Sequence, residues 1–446
     1  MALVTSGSAS SAAAFASRPA QLLAQLCTVR QQSLALCEPL TPEDMMVQSC
    51  PEASPAKWHL AHTSWFFETF LLREFLPGYK PFHPDFLWLF NSYYNAVSAQ
   101  PQKKLRASFS RPGIASILEY RAHVDAGLQA LFSSDAPEEA QRRLVLGLHH
   151  EQQHGELMLT DIKNAFWSNP LRPAYRDGAL PEAHRSILRQ LGSQNWVPFA
   201  EGLRAIGHTG DGFCFDNEEP RHRVWLDAFD LASRPVSSAE YLQFMEDGGY
   251  TRSELWLSEG WDTVQREQWE APLYWHRESG EAEWTVFTLR GEQPLRNLLA
   301  APVCHISYFE ANAFARWAGM QLPTEAEWEV AAAESHLAAT PEKSLLLEGD
   351  SLHPLASLPE DGSEGALREM LGNVWEWTGS AYLGYPGYAA LPGALGEYNG
   401  KFMSNQMVLR GGSVATPLSH IRASYRNFFP PHTRWQFSGV RLARHQ

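Results

Sequence analysis

The stretch EAQRRLVLGLHHEQQHGELMLTDIKNAF, residues 139–166, repeats apolar side chains three and four apart, as at Leu144 and Leu148 and again at Met158 and Ile162. That is the period of an amphipathic helix. Within it His150 and His154 stand four residues apart, so both imidazoles leave one helix face and can be aimed at one ion. Neutral imidazole suits iron or zinc. A third ligand must come from another element, and the interior of a helical bundle is a usual place for a metal held by facing side chains.

Working outward, PAQLLAQLCTVRQQSLAL (19–36) and IASILEYRAHVDAGLQALF (114–132) carry the same period, and short polar loops such as Ser133 to Pro137 separate the segments. The expectation is a bundle of about four helices over residues 20–168, preceded by a Ser/Ala-rich disordered tail at 1–19 that lacks the basic start and apolar core of a secretory signal. The segment KWHLAHTSWFFE (57–68) supplies two more histidines. His62 is the expected third ligand, with His59 as the fallback.

The texture changes after Asn169. NPLRPAYRDGALPEAHR reads as the start of a linker, 169–195. From 196 to 446 short turn-bounded runs (GLRAIGH, HRVWLDAFDLA, FSGVRLA) alternate with two helical pieces, SSAEYLQFMED and SYFEANAFARWAG. Such a mixture predicts a compact α+β domain. Two domains also suit a chain of 446 residues with 44% hydrophobic and 19% charged residues.

A formal charge of −14 opposes a broad grip on nucleic acid or anionic lipid, and no run of about 18 uncharged apolar residues predicts a membrane span. The expected partners are small molecules. Five scattered cysteines without Cys-x-x-Cys spacing suggest free thiols in a reducing compartment, read as cytoplasmic. The oligomeric state is not legible.

His150-Glu151-x-x-His154 is also the zinc metalloprotease motif, with Glu151 as general base. Against that reading stand Gln152 and Gln153, where such proteases favour apolar residues, and the large second domain. A third alternative is a non-catalytic ligand-binding protein.

The pairing of WHLAHTSWFFETFLL with HHEQQHGELMLTDIKN resembles the DinB-like helical domain of the ergothioneine sulfoxide synthases. GFCFDNEEPRHRV, PVSSAEYLQFMEDGGY, LPTEAEWEVAA, GNVWEWTGS, LRGGS and FSGVRLAR resemble the formylglycine-generating-enzyme-like domain, of modified C-type-lectin fold, that follows it in that family. The resemblance covers most of the chain after about residue 20 and implies an Fe(II)-dependent, O₂-using enzyme. Such an enzyme joins a thiol, cysteine or γ-glutamylcysteine, to the imidazole of trimethylhistidine and forms the sulfoxide.

It places the iron ligands on His62, His150 and His154, and substrate contacts on Gln153, Asn427 and Tyr398. The Pro-Tyr-x-x-Tyr segment of the better-known branch reads PGALGEYNG here, with Leu395 at the first tyrosine and Tyr398 at the second. The usual proton donor is therefore missing, and Tyr93 or Tyr94, in Phe90-Asn91-Ser92-Tyr93-Tyr94-Asn95, is the expected replacement.

The Asn-Trp-Asp run of that branch reads Asn427-Phe428-Phe429, which removes an acidic group used to recognise the sulfur substrate. Arg422-Ala423-Ser424-Tyr425-Arg426 replaces the paired cysteines of the copper-dependent formylglycine-generating enzymes, which argues against protein-thiol oxidation. Arg111 and Arg434 are candidates for substrate carboxylates, and Phe428, Phe429 and Trp435 for a quaternary ammonium group. Asn373 and Glu376 are candidates for a structural Ca²⁺.

Overall fold

A computed structural model describes residues 9–133, 136–178, 194–277, 283–335, 341–356 and 366–445. The chain divides into two compact units, Met1–Ile162 and Lys163–Gln446. The first is built on four long helices, α1 (Ala9–Ala35), α2 (Ala56–Phe67), α3 (Ile114–Phe132) and α4 (Glu138–Ser168). Helix α1 takes in residues 9–19 of the expected tail, whose first eight residues lie outside the described ones. The division between units falls inside α4, six residues before the expected end of the helical domain at 168. Most of the expected 169–195 linker, residues 179–193, lies outside the described residues.

Helix α2 is buried along its whole length. A helix apolar on every side belongs in the middle of a bundle, and Trp58, Leu60, Ala61, Trp65, Phe66 and Phe67 meet that need. Its polar residues must then find partners inside the protein. Lys57 Nζ donates to the carbonyls of Phe109, Ser110 and Pro112, and Ser64 Oγ accepts from Arg30. Beyond Phe67 the helix loosens into a π-helical turn, Glu68–Leu72, a form that occurs often beside functional sites.

The second unit is α+β, with twelve short strands among the described residues. Trp196–Phe199 (β1), Phe229–Ala232 (β4) and Ala443–His445 (β12) form one antiparallel sheet. Gly202–Ile206 (β2) and His222–Leu226 (β3) form a hairpin pair. Trp275–His276 (β5), Thr285–Thr288 (β6) and Gly291–Pro294 (β7) form a meander. The fourth sheet runs in the order Asn427–Phe429 (β10), Met407–Arg410 (β9), Trp375–Ala381 (β8), Ser438–Gly439 (β11).

The two helical pieces expected from sequence are α5 (Ser238–Glu246) and, after α6 (Ser258–Glu267), α7 (Tyr308–Trp317); α8 (Glu325–Glu334) follows. Helices α5, α7 and α8 each start at a capping box, Ser237/Glu240, Ser307/Glu310 and Thr324/Glu327, in which side chain and backbone satisfy each other's orphan groups. Phe229, Leu231, Trp328, Ala331, Met370 and Ala443 pack in one core of this unit.

Buried charges are paired inside the second unit. Arg441 grips the Glu376 carboxylate, which also accepts from Trp328 Nε1, and Arg410 and Arg426 converge on Glu325. The Ca²⁺ expectation is corrected here. The Glu376 oxygens face a guanidinium, and Asn373 Oδ1 accepts from Leu355 N while its Nδ2 donates to Glu369. A hard cation needs oxygens that are free to coordinate. Glu218 binds both Arg422 and Ser424, in the stretch that replaces the paired cysteines.

Candidate metal centre

Helix α4 brings His150 and His154 onto one face, and α2 brings His62 against them. One ring nitrogen from each lies within 4.8 Å of the others, the one such group of three or more potential ligands among the described residues. His62 and His150 are buried and His154 is half-buried. Burial pushes the His150 imidazole down to about 3 and those of His62 and His154 well below the usual histidine range. The three rings are therefore neutral at physiological pH, with lone pairs to offer.

Tautomers follow from the hydrogen bonds. His62 Nδ1–H donates to the Phe90 carbonyl at 2.7 Å, which leaves its Nε2 bare. The His150 Nδ1 is buried with no hydrogen-bond partner in the protein, an orphan whose neighbours are other neutral imidazoles. A donor set of three neutral nitrogens, one ring nitrogen of which lacks a partner, fits a first-row transition ion and not Ca²⁺ or Mg²⁺.

The rings are held on every side. Trp58 stacks on His62 at 4.6 Å and 11°, and Arg106 lies over the Trp58 ring, 3.4 Å from its centre. Arg106 also donates to Ser54 Oγ and Ser92 Oγ. Trp65 stacks on His62, and Phe66 meets His150 at 4.5 Å. Sequence reading missed Arg106, because nothing in its spacing marks it as an interior residue.

The protease reading is corrected by Glu151. Its carboxylate lies 2.5 Å from Arg121 and 3.1 Å from Arg30 and accepts from Ser33 at 2.7 Å. Burial alone would raise this carboxyl, but Arg121 and Arg30 overcome it and hold it at about 2. A general base must reach its substrate water with a usable pKa. Glu151 has neither, being committed to two buried arginines.

Tyr93 and Tyr94 lie in the turn that follows Phe90, the residue whose carbonyl holds His62. Tyr93 adopts φ 68°, a left-handed conformation costly for a non-glycine residue, and Lys103 Nζ stands 3.5 Å from its hydroxyl. The Tyr94 ring is buried among Trp65, Phe66 and Phe70. Gln153 is half-buried on α4, between the two histidines of that helix in sequence. Arg111 is exposed.

In the second unit, Tyr398 packs on Phe402, which packs on Phe428, and Asn427 precedes Phe428 in β10. Tyr382 stacks on Phe428 at 4.0 Å. Arg434 is a correction: it is buried, lies over Trp269, and gives its guanidinium to Glu310 at 2.8 Å and to the Ala271 carbonyl. An internal carboxylate already occupies it.

Comparison with known proteins agrees with this division. Residues 190–446 match the sulfatase-modifying factor enzyme 1-like domain and residues 25–158 the DinB superfamily. The chain is 34% identical over 441 residues to a hercynine oxygenase of Mycobacterium tuberculosis, covering 95% of this chain and 99% of that one. It is 32% identical over 447 residues to a hercynine oxygenase of Mycolicibacterium smegmatis, covering 94% and 97%. A third relative, ergothioneine biosynthesis protein 1 of Schizosaccharomyces pombe, is 29% identical over 243 residues, 52% of this chain and 28% of its own. A helical unit with a three-histidine cluster, an α+β unit of the second type, and likeness along nearly the full length of both chains lead to one conclusion: the chain belongs to the hercynine oxygenase family.

Proposed function

We propose that this protein is a non-haem Fe(II) enzyme that uses O₂ to join the sulfur of cysteine or γ-glutamylcysteine to the imidazole of trimethylhistidine, giving the sulfoxide used in ergothioneine biosynthesis. The observation that carries the reading is the convergence of three neutral imidazoles, buried His62 and His150 and half-buried His154, within 4.8 Å. An Fe(II) ion in that donor set supplies the redox partner for O₂ and the Lewis acidity that keeps a thiol deprotonated. The reaction balances: C–H and S–H are joined with loss of two electrons, the sulfur is oxidised by two more, and O₂ ends as one sulfoxide oxygen and one water.

The chain's own residues then have separate tasks. His62, His150 and His154 hold the ion. Gln153 contacts the histidine substrate, Asn427 its amino-acid end, and Tyr398 is a further substrate contact. Arg111, exposed, takes a carboxylate of the thiol. Tyr93 or Tyr94 delivers a proton on the oxygen side and diverts the thiol from the competing oxidation to a sulfinate.

The test is aerobic incubation of the Fe(II)-loaded protein with trimethylhistidine and each thiol. The expected product has the summed mass of both substrates plus one oxygen minus two hydrogens. Phe at position 93 or at position 94 is expected to lower the sulfoxide and raise the sulfinate. Unchanged product and yield in both single variants would remove the tyrosines from the mechanism, and absence of a C–S product with either thiol would remove the function.

A further inference from the structure

His59 is not one of the three converging ligands, yet it is almost wholly buried three residues before one of them. Its Nδ1 lies 2.8 Å from His154 Nδ1, and its Nε2 lies 3.1 Å from Asp161 Oδ2. Asp161 is itself buried and fixed, because the same Oδ2 accepts from the Ser54 backbone N–H at 2.8 Å. On α4, residues 150, 154 and 161 fall on one stripe of the helix, since four and seven residues are each close to a whole number of turns.

The direction of every proton in this chain follows from one end. An ionised carboxylate only accepts, so His59 Nε2 carries the hydrogen and donates to Asp161. His59 Nδ1 is then bare. His154 Nδ1 must carry a hydrogen and donate to it, which leaves His154 Nε2 as the unprotonated nitrogen available to a metal. We propose that His59 and Asp161 form a positioning relay, Asp161···His59···His154, that fixes the tautomer and ring orientation of His154 and strengthens it as a ligand. The inference rests on the three-histidine reading of the metal centre. His59 thus changes place, from fallback ligand to the residue standing behind a ligand. The relay is longer by one imidazole than the usual carboxylate–histidine–metal arrangement, in which a carboxylate touches the ligand directly.

The design gives a sharp pair of substitutions. In His59→Gln the amide oxygen accepts from His154 Nδ1–H and the amide N–H donates to Asp161, so the polarity of the relay survives. In His59→Phe a ring of similar size has neither group. Co(II) is the probe, titrated into metal-free full-length protein and followed by its visible absorption, with thermal melts of the metal-free variants alongside.

His59→Phe is expected to weaken Co(II) binding by roughly 10- to 100-fold, and His59→Gln to restore it to within a few-fold of the parent. Asp161→Asn, which keeps the shape and removes the charge, is expected to weaken binding by roughly 10-fold. Wild-type affinity and spectrum in His59→Phe would overturn the relay. So would equal losses in Phe and Gln variants that fold like the parent, because packing would then explain both. Should His59→Phe fail to fold, wild-type affinity in Asp161→Asn overturns the relay. His150→Ala separates the two levels: undiminished Co(II) binding there would overturn the three-histidine centre and the relay with it, whereas loss there beside full binding in His59→Phe overturns the relay alone.

Discussion

Glu151 shows how a residue can belong to a familiar motif and serve a different purpose. In sequence it stands where a zinc protease keeps its base; in the fold it closes a buried cluster with Arg30, Arg121, Ser33 and, through Arg30, Asp125 and Ser64. Glu151 thus ties α4 to α1 and α3 one residue away from His150. Removing one partner of a buried ion pair leaves the others uncompensated, which costs about 3–5 kcal/mol. Glu151→Gln is therefore expected to lower the stability of the helical unit by that order in urea denaturation. A protease base would behave in the opposite way, with unchanged stability and lost hydrolysis. Arg434 and Glu376 teach the same lesson from the second unit: each was a candidate for a ligand, and each is already bound to an opposite charge inside the protein.

At the scale of the element, α4 does most of the positioning. Its sequence period predicts the helix and the shared face of His150 and His154, and that same period places Asp161 on the stripe. Near its end, Lys163 is fully buried with Nζ 2.7 Å from His305 Nε2 and over the rings of Tyr274 and Phe437 at 4.7 and 5.1 Å. Burial pushes this ammonium down to about 7 from an ordinary 10.5. Below pH 7 folded and unfolded chains both hold the proton. Between 7 and 10.5 only the unfolded chain holds it, so the folded state gains stability as pH rises, by up to about 1.4 kcal/mol per pH unit. Urea denaturation of wild type and Lys163→Met at pH 7, 8 and 9 is expected to show a difference that moves steadily in favour of wild type. A difference that does not change with pH would mean that the neighbouring rings keep the lysine charged.

For the molecule as a whole, the division into two units sets where a bound metal acts. The histidine cluster lies entirely in Met1–Ile162. A metal at a hundredfold excess over its Kd stabilises the folded state by about 2.7 kcal/mol. For a unit of this size that is a rise of roughly 5–10 °C in its transition. Calorimetry with and without a chelator is expected to show that shift. Equal melting with and without metal would remove the centre from the helical unit. Among the described residues no helix is long and apolar enough to cross a membrane.

Much of this was legible in the chain itself. Helical period and the spacing of His150 and His154 are local, and a local pattern survives without knowledge of the fold. The helical pieces SSAEYLQFMED and SYFEANAFARWAG are likewise local patterns, and α5 and α7 form there. The family motifs added the division into a helical and an α+β part. What the sequence alone determined, then, is the kind of elements and the residue types that bind a metal. The tertiary structure decided partnership: that Glu151 faces two arginines, that His59 stands between Asp161 and His154, and that Arg434 and Glu376 are spent on internal charges. The physical reason is that a buried charge or imidazole takes its role from whatever lies within about 3 Å of it, and those neighbours come from residues far away in the chain, 124 positions for Arg434 and Glu310.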